Sequence, residues 1–227
     1  MISFIIRIAR ERGLKFFYDY FFEAIWFDLL HRTDTAMRVT KDNQAPSVES
    51  NDFDNGLLYV ASFTSVITKT VGLVREHCRE TSKQLGSFVD LGCGKGKTLI
   101  VVHERFNDDF SGGIVGIEYD RDLVAIGQSN LKLCQLADKV TLAEDTAVNV
   151  VQYVNDAIPL IYLYNSFQGE TLRAVLQELS AFEHYLIYVD PVEAELLGQR
   201  NYVELYSNEG RYNADSWKIF HYGVDAG

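Results

Sequence analysis

Short apolar runs alternate with amphipathic stretches through most of the chain after residue 86. The amphipathic stretches repeat their apolar residues every three or four positions, which predicts helices, whereas the short apolar runs predict buried strands. The predicted strands are residues 87–91, 113–118, 140–143, 160–164 and 184–189. The predicted helices are residues 98–106, 123–136 and 171–182, with a weaker helix that runs through residue 154. Strands that alternate with helices imply a parallel sheet with right-handed crossovers.

The two ends of the chain have different patterns. Residues 202–206 and 217–222 are strand-like with no helix between them, which predicts a C-terminal hairpin. Residues 57–80 have a helical pattern, and the polar residues 32–56 form a loop that could close over a ligand as a lid. The pattern divides the chain into an N-terminal helical extension with a lid, residues 1–84, and an α/β domain, residues 85–227.

Residues 2–31 are predicted to be helical and carry a broad apolar and aromatic face. Such a face is typical of a helix packed on the main domain. The alternative is an interfacial helix that contacts a membrane or a protein partner, and the basic residues of the segment support it. These residues are Arg7, Arg10, Arg12 and Lys15.

Composition narrows the range of functions. The formal net charge of −11 disfavours a nonspecific nucleic-acid binder, because phosphate backbones repel an acidic chain. The three cysteines form no CxxC pair and accompany no histidine cluster, so we expect free thiols and no metal site. No apolar run is long enough to span a membrane, and the first residues make a poor signal peptide. A cytoplasmic protein is therefore expected.

Three alternating glycines, Gly92, Gly94 and Gly96, lie between a predicted strand and a predicted helix. Such a turn brings bare backbone and a helix N-terminus against a ligand. A triphosphate-binding loop that ends at Lys97 would need a glycine where Leu91 stands. A dinucleotide-binding loop would need its third glycine at Lys97. Both patterns fail by one residue, and a nucleotide-binding NTPase remains only a lesser alternative.

The string VDLGCGKGKTL, in which Asp90 precedes the glycines, resembles the first motif of the class I S-adenosylmethionine-dependent methyltransferases. The resemblance implies an α/β, Rossmann-like class I methyltransferase fold: a seven-stranded, mostly parallel sheet with a C-terminal antiparallel hairpin and an N-terminal helical extension. It also implies S-adenosylmethionine as the cofactor. The loop residues expected to bind it are Asp90, Gly92, Cys93, Gly94 and Gly96.

Acidic residues at the next two strand ends fit the same family. Glu118 ends the second strand, where the resemblance implies that it holds both ribose hydroxyls and that Tyr119 flanks the adenine. After the third strand, Asp145 is expected to accept the adenine amino group, with Glu144 as a competing candidate. Cys93 has no accompanying base, so a catalytic thiol is not expected there.

The fourth strand ends in Asn165-Ser166-Phe167. Amino-group methyltransferases of this class often carry Asn or Asp, two prolines and an aromatic residue at this place. Asn165 and Phe167 keep the ends of that motif and are the candidate catalytic residues, whereas Ser166 departs from it and one residue is missing. Asn165 could instead cap the following turn and touch the cofactor.

We therefore expect a methyltransferase whose acceptor is open, with an amine on protein lysine or a small molecule favoured over an oxygen of a small metabolite. The protein would mainly align the acceptor with an already activated methyl group. Nucleic acid is a less favoured acceptor. A catalytically inactive cofactor-binding partner subunit is the alternative from another class, and the sequence does not indicate an oligomeric state.

Overall fold

The computed structural model describes residues 18, 21–36, 61–154, 157–210 and 213–223. Its centre is one seven-stranded sheet in the order β3-β2-β1-β4-β5-β7-β6. The strands are β1 Leu85–Leu91, β2 Ile114–Glu118, β3 Thr141–Glu144, β4 Ile158–Tyr164, β5 His184–Val189, β6 Val203–Asn208 and β7 Trp217–Tyr222. Most of the predicted N-terminal helix and of the predicted lid lie outside the described residues.

Strands β1 to β5 are parallel, and β7 runs antiparallel to both β5 and β6. The predicted parallel sheet and the predicted C-terminal hairpin are therefore both confirmed. Every residue of β1, β2 and β5 is buried. Strands that are covered by helices on both faces read as continuous apolar runs, which is why their sequences show little alternation.

The helices cover both faces of the sheet. A π-helical turn, Phe21–Ile25, precedes the first α-helix. The 3-10 segments are Asn107–Asp109, Ala147–Tyr153, which follows β3, and Asn213–Asp215. The α-helices are α1 Trp26–His31, α2 Thr64–Glu80, α3 Lys97–Phe106, α4 Arg121–Leu133, α5 Gly169–Leu179 and α6 Glu195–Gly198. One apolar core lies under α2 and α3, and a second lies under α5 and the 3-10 segment after β3.

Three predicted helix ends and the type of one predicted helix were wrong. Helix α2 begins at Thr64, not at residue 57, and residues 61–63 are not helical. Helix α4 ends at Leu133, three residues early, because Gln135 adopts a left-handed φ of 59°. Helix α5 ends at Leu179 instead of 182, since residues 180–182 form a turn. The weak helix that runs through residue 154 is a 3-10 segment.

Helix α1 has one apolar residue packed on the domain and three exposed apolar residues, so it bears on both alternatives predicted for the N-terminal segment. Phe27 is 5% exposed and belongs to the core under α2, so this part of the segment packs on the domain. Trp26, Leu29 and Leu30 on the same helix are 45%, 62% and 62% exposed. Among the described residues, no helix combines the length and the apolar character needed to cross a membrane.

Candidate functional site

The glycine loop joins β1 to α3 and turns sharply under the carboxyl end of the sheet. Gly92, Gly94 and Gly96 all have positive φ, at 77°, 53° and 79°. Residues with a Cβ atom are strained at positive φ, so the backbone conformation favours glycine at all three positions. The amides of Gly92 and Cys93 both donate to the Ile117 carbonyl of the neighbouring strand, at 2.8 and 3.1 Å.

The loop after β4 lies directly against the glycine loop. A Cβ atom added at Gly92 would lie 2.5 Å from both Cβ and Oγ of Ser166, which is closer than real Cβ atoms approach. The same addition at Gly96 would meet its nearest heavy atom, on the Leu142 side chain, at 3.7 Å. The glycine at position 92 is therefore required for close approach as well as for conformation. This contact brings the predicted transfer residues next to the predicted cofactor loop.

Cys93 contributes its backbone to the loop and its side chain to the core. A Cβ atom at Gly116 would lie 2.6 Å from the Cys93 Sγ, so the thiol packs tightly on β2. Burial raises the pKa of the Cys93 thiol well above its usual range, and the carboxyl groups of Asp90 and Glu118 raise it further. A protonated, buried thiol is a packing group, and only the Cys93 backbone could reach a cofactor.

Two carboxyl groups are buried together where β1 and β2 end. Glu118 accepts hydrogen bonds from the backbone amides of Gly94 and Asp120, each at 2.9 Å. Burial raises the pKa of Glu118 to about 7, although these two amides oppose the shift. Burial likewise raises the pKa of Asp90 to about 8; the Thr98 hydroxyl opposes this, and Glu118 adds repulsion.

An ionised carboxylate offers about four lone-pair sites, and the backbones of Gly94, Asp120 and Tyr119 all form hydrogen bonds to that of Glu118. A side chain that is 4% exposed and bonded to the glycine loop is not a solvated strand end. It lies at the carboxyl end of β2, beside the glycine loop. Tyr119, the next residue, is half-buried beside it.

The two acidic candidates after β3 have different surroundings. Glu144 is exposed and lies opposite Glu118 in the register of β2 and β3. The Asp145 carboxylate accepts from the Thr146 amide, the Asn149 side chain and the Tyr153 hydroxyl, each at 2.8 Å. Asp145 therefore holds the 3-10 segment that follows β3. About one lone-pair site of its carboxylate remains for another donor.

Asn165 follows β4 and is 7% exposed, with a left-handed φ of 35°. Its Nδ2 donates to Oδ2 of Asp190 at 2.9 Å, and its Oδ1 accepts from Nε2 of Gln168 at 2.9 Å. Phe167 is 6% exposed and packs in the core beneath α5 with residues such as Leu172. Its ring supports the loop from below, and the polar cluster forms around Asn165.

Asp190 and Gln168 were missed by the sequence reasoning. Asp190 directly follows β5, and the carboxyl ends of parallel strands share one edge of the sheet. An acidic residue directly after a predicted strand could therefore have been predicted to lie at the same edge of the sheet as Asn165. Gln168 carries no such signal, because its contact with Asn165 depends on the turn between β4 and α5.

The two loop lysines hold the N-terminal segment. The Lys97 ammonium donates to the backbone carbonyls of Glu23 and Ser62 and lies 5.0 Å from the centre of the Phe27 ring. Burial lowers the pKa of Lys97 to about 8. Lys95 pairs with Asp34 at 3.2 Å. A triphosphate-binding lysine would point at its ligand, so these contacts argue against the NTPase alternative.

Asn130 strengthens the contact between the N-terminal segment and the glycine loop. Its side-chain amide donates to the backbone carbonyls of Lys95 at 3.0 Å and Asp34 at 3.3 Å, and its Oδ1 accepts from the Asp34 amide at 3.0 Å. The Asp28 carboxylate in turn accepts hydrogen bonds from Thr33, Thr35 and Ala36. Within the part of the chain that the structure describes, no group of His, Cys, Asp and Glu side chains could hold a metal ion.

Comparison with known proteins identifies the fold. The sequence matches no protein-family model, and no curated protein was found similar to it in sequence. A protein of Clostridium thermocellum provisionally named as an rRNA methylase superposes with a TM-score of 0.52 at 16% identity, over 69% of this chain and 97% of its own. A protein of Staphylococcus aureus provisionally named as a caffeoyl-CoA O-methyltransferase gives 0.52 at 14% identity, over 68% and 83%. The chain has the Rossmann-like fold of the class I methyltransferases, as the sequence predicted.

Proposed function

We propose that this protein is an S-adenosylmethionine-dependent methyltransferase. The observation that carries the proposal is the buried Glu118 carboxylate, which lies at the carboxyl end of β2 and is bonded to the Gly94 amide of the glycine loop. The cofactor has vicinal ribose hydroxyls and a zwitterionic methionine part, so it needs a carboxylate and exposed backbone close together. The fold shared with other methyltransferases supports the same reading.

The residues around the loop fit the parts of this cofactor. The backbone of Gly92, Cys93, Gly94 and Gly96 would face its methionine and ribose parts, and Asp90 would support the loop from the end of β1. Glu118 would accept both ribose hydroxyls. Tyr119 would flank the adenine, and Asp145 would use its remaining lone pair for the adenine amino group.

Methyl transfer itself would need little from the protein beyond alignment. The acceptor lone pair forms a bond to the methyl carbon as the carbon–sulfur bond breaks, and the neutral thioether S-adenosylhomocysteine leaves. Holding the acceptor in line with that bond and excluding water are the contributions a binding site can make. Asn165 and Phe167 would form the transfer side, Asn165 by contact and Phe167 by supporting the loop.

An amine is the acceptor that the transfer side favours. Asn165 offers an amide oxygen that can accept a hydrogen bond from an acceptor nitrogen, and no residue of the described cluster offers a cation for a phosphate. The two structural neighbours described above carry names that refer to rRNA and to caffeoyl-CoA, so the shared fold does not choose between acceptors. The net charge of −11 counts against a nucleic acid. The three free cysteines fit a reducing, cytoplasmic location.

Isothermal titration calorimetry with S-adenosylhomocysteine tests the cofactor site. We expect the wild type to bind with micromolar affinity, and we expect Glu118→Ala to weaken binding by at least about 30-fold, since it removes charge-assisted hydrogen bonds worth about 2 kcal/mol or more together. Asp145→Ala should weaken binding less. Glu144→Ala, which changes an exposed carboxylate on the adjacent strand, is the matched control and should bind as the wild type does.

A folded wild type that does not bind S-adenosylhomocysteine would refute the proposal. Equal losses in Glu144→Ala and Glu118→Ala would place the cofactor elsewhere. If binding occurs, radiolabelled S-adenosylmethionine with amine acceptors then separates an active enzyme from an inactive cofactor-binding subunit, because only the enzyme turns over.

A further inference from the structure

Two adjacent parallel strands end in strained residues that meet each other. Asn165 after β4 has a φ of 35°, and Asp190 after β5 has a φ of 50°. Non-glycine residues in this region are uncommon, and asparagine and aspartate tolerate it best. The bends turn both side chains toward one another, so that Asn165 Nδ2 lies 2.9 Å from Asp190 Oδ2. Strain at two neighbouring strand ends is typical of functional sites.

This contact fixes which way the Asn165 amide points. An amide can be turned over to exchange its NH₂ group and its oxygen, and only its hydrogen-bond partners decide between the two orientations. An ionised carboxylate can only accept hydrogen bonds, so the NH₂ group of Asn165 must face Asp190. The Asn165 oxygen then faces away from Asp190, where it accepts from Gln168 at 2.9 Å and keeps a second lone pair.

The position of this oxygen relates it to the glycine loop. Ser166, the next residue, lies so close to Gly92 that an added Cβ there would overlap it at 2.5 Å. Asn165 is therefore one residue from a direct contact with the loop that the proposed function assigns to the cofactor. The Asn165 oxygen is a hydrogen-bond acceptor of fixed orientation, and its residue directly precedes the one that contacts the loop.

We propose that Asp190 is a positioning residue that holds Asn165 in this orientation and thereby selects a nitrogen acceptor that carries N–H groups. The inference rests on the proposed function, because it concerns the acceptor side of the same site. A hydroxyl acceptor must lose its proton to attack the methyl group, and the resulting oxyanion has no hydrogen to donate to the Asn165 oxygen. The negative charge of Asp190 beside the amide adds a preference for a basic amine.

Sinefungin tests the proposal without knowledge of the acceptor. It is a cofactor analogue in which a carbon bearing an amine replaces the methylsulfonium, so it places a cationic N–H donor where the methyl group and the acceptor meet. S-adenosylhomocysteine lacks that amine. The change in the ratio of the two dissociation constants between wild type and variant, measured by calorimetry on the full chain, reports the recognition of the amine, because the exchange of sulfur for carbon is common to both proteins.

We expect the wild type to bind sinefungin about tenfold more tightly than S-adenosylhomocysteine, the effect of one hydrogen bond to a charged donor. Asp190→Asn, which can donate as well as accept, should lose that preference and keep its affinity for S-adenosylhomocysteine within about twofold. Glu193→Gln is the matched control. It makes the same change of charge in the same turn, and it retains an oxygen for the Gly169 amide that Glu193 Oε2 binds at 2.7 Å.

A second variant keeps the test decisive if Asp190→Asn does not fold. Asn165→Ala should lose the same preference, and the double variant should lose no more than either single one, because the two residues act as a unit. An unchanged preference in Asp190→Asn or in Asn165→Ala, or no preference in the wild type, overturns the role of Asp190. A wild type that binds neither compound overturns the proposed function, which is a different result from binding both equally.

Discussion

The contact between Ser166 and Gly92 makes a prediction that needs no ligand. Gly92 and Gly96 belong to one loop and have almost the same φ, 77° and 79°. They differ in the space around them, because an added Cβ would overlap Ser166 at 2.5 Å from position 92 and would reach only 3.7 Å contact from position 96. The loss of unfolding free energy in Gly96→Ala therefore reports the conformational strain alone. The loss in Gly92→Ala reports the conformational strain and the overlap with Ser166 together.

The two costs can be estimated separately. A left-handed conformation costs an alanine about 1–2 kcal/mol relative to glycine. Overpacking of a close-packed site adds about 1–3 kcal/mol. Gly96→Ala should therefore lower the free energy of unfolding by about 1–2 kcal/mol, and Gly92→Ala by about 2–5 kcal/mol. In a chain of 227 residues, each kcal/mol corresponds to a fall in Tm of about 2–4 °C.

Urea unfolding followed by circular dichroism measures these free energies. Ser166→Gly in the Gly92→Ala background should recover the overlap cost and bring that protein close to Gly96→Ala, after the cost of Ser166→Gly alone is subtracted. The reasoning is refuted if Gly92→Ala is no less stable than Gly96→Ala. It is refuted equally if the effects of Gly92→Ala and Ser166→Gly simply add, because additivity would mean that the two loops do not touch.

Three further predictions concern buried charges. Titration calorimetry should show that the affinity for S-adenosylhomocysteine rises between pH 6 and 8. The reason is that the ribose hydroxyls need the ionised form of Glu118, whose pKa is raised to about 7. Glu118→Gln should remove this pH dependence. The pKa of Asp90 is raised from 3.8 in the unfolded chain to about 8 in the folded protein, so the folded state binds more protons than the unfolded state between these two pH values. The free energy of unfolding should therefore fall as pH rises through this range, and Asp90→Asn should fall less between pH 6 and 9. Lys97→Met should cost about 1–3 kcal/mol of unfolding free energy in urea, because it leaves the buried carbonyl of Ser62 without its donor.

Each of these has a clear contrary outcome. An affinity that is flat with pH in the wild type would separate Glu118 from ribose binding. A pH dependence of stability that survives Asp90→Asn unchanged would assign it to other groups. A Lys97→Met protein as stable as the wild type would mean that the ammonium does not hold the N-terminal segment.

The sheet could be predicted from the sequence because its signals are local. Buried parallel strands give continuous apolar runs, and the spacing of the three glycines distinguishes one ligand class from two others. Helix ends were predicted less well. The end of α4 depends on the left-handed conformation of Gln135, a residue type that gives no warning of it.

The transfer side could be predicted only in part. Asn165 was named as a candidate because it follows a strand, whereas its partner Asp190 is 25 residues away and contacts it because β4 and β5 are adjacent in the sheet. Phe167 was named as a candidate catalytic residue, and its side chain is 6% exposed and lies in the core under α5. Sequence pattern indicates which strand end a residue follows, whereas the direction of its side chain depends on backbone φ and on neighbours distant in the chain.

A crystal structure with S-adenosylhomocysteine tests the central claim most directly. The account predicts that the ligand lies on the loop of Gly92, Gly94 and Gly96, with both ribose hydroxyls about 2.6–3.0 Å from the Glu118 carboxylate oxygens. A ligand bound away from this loop, or a ribose whose hydroxyls do not contact Glu118, would contradict it.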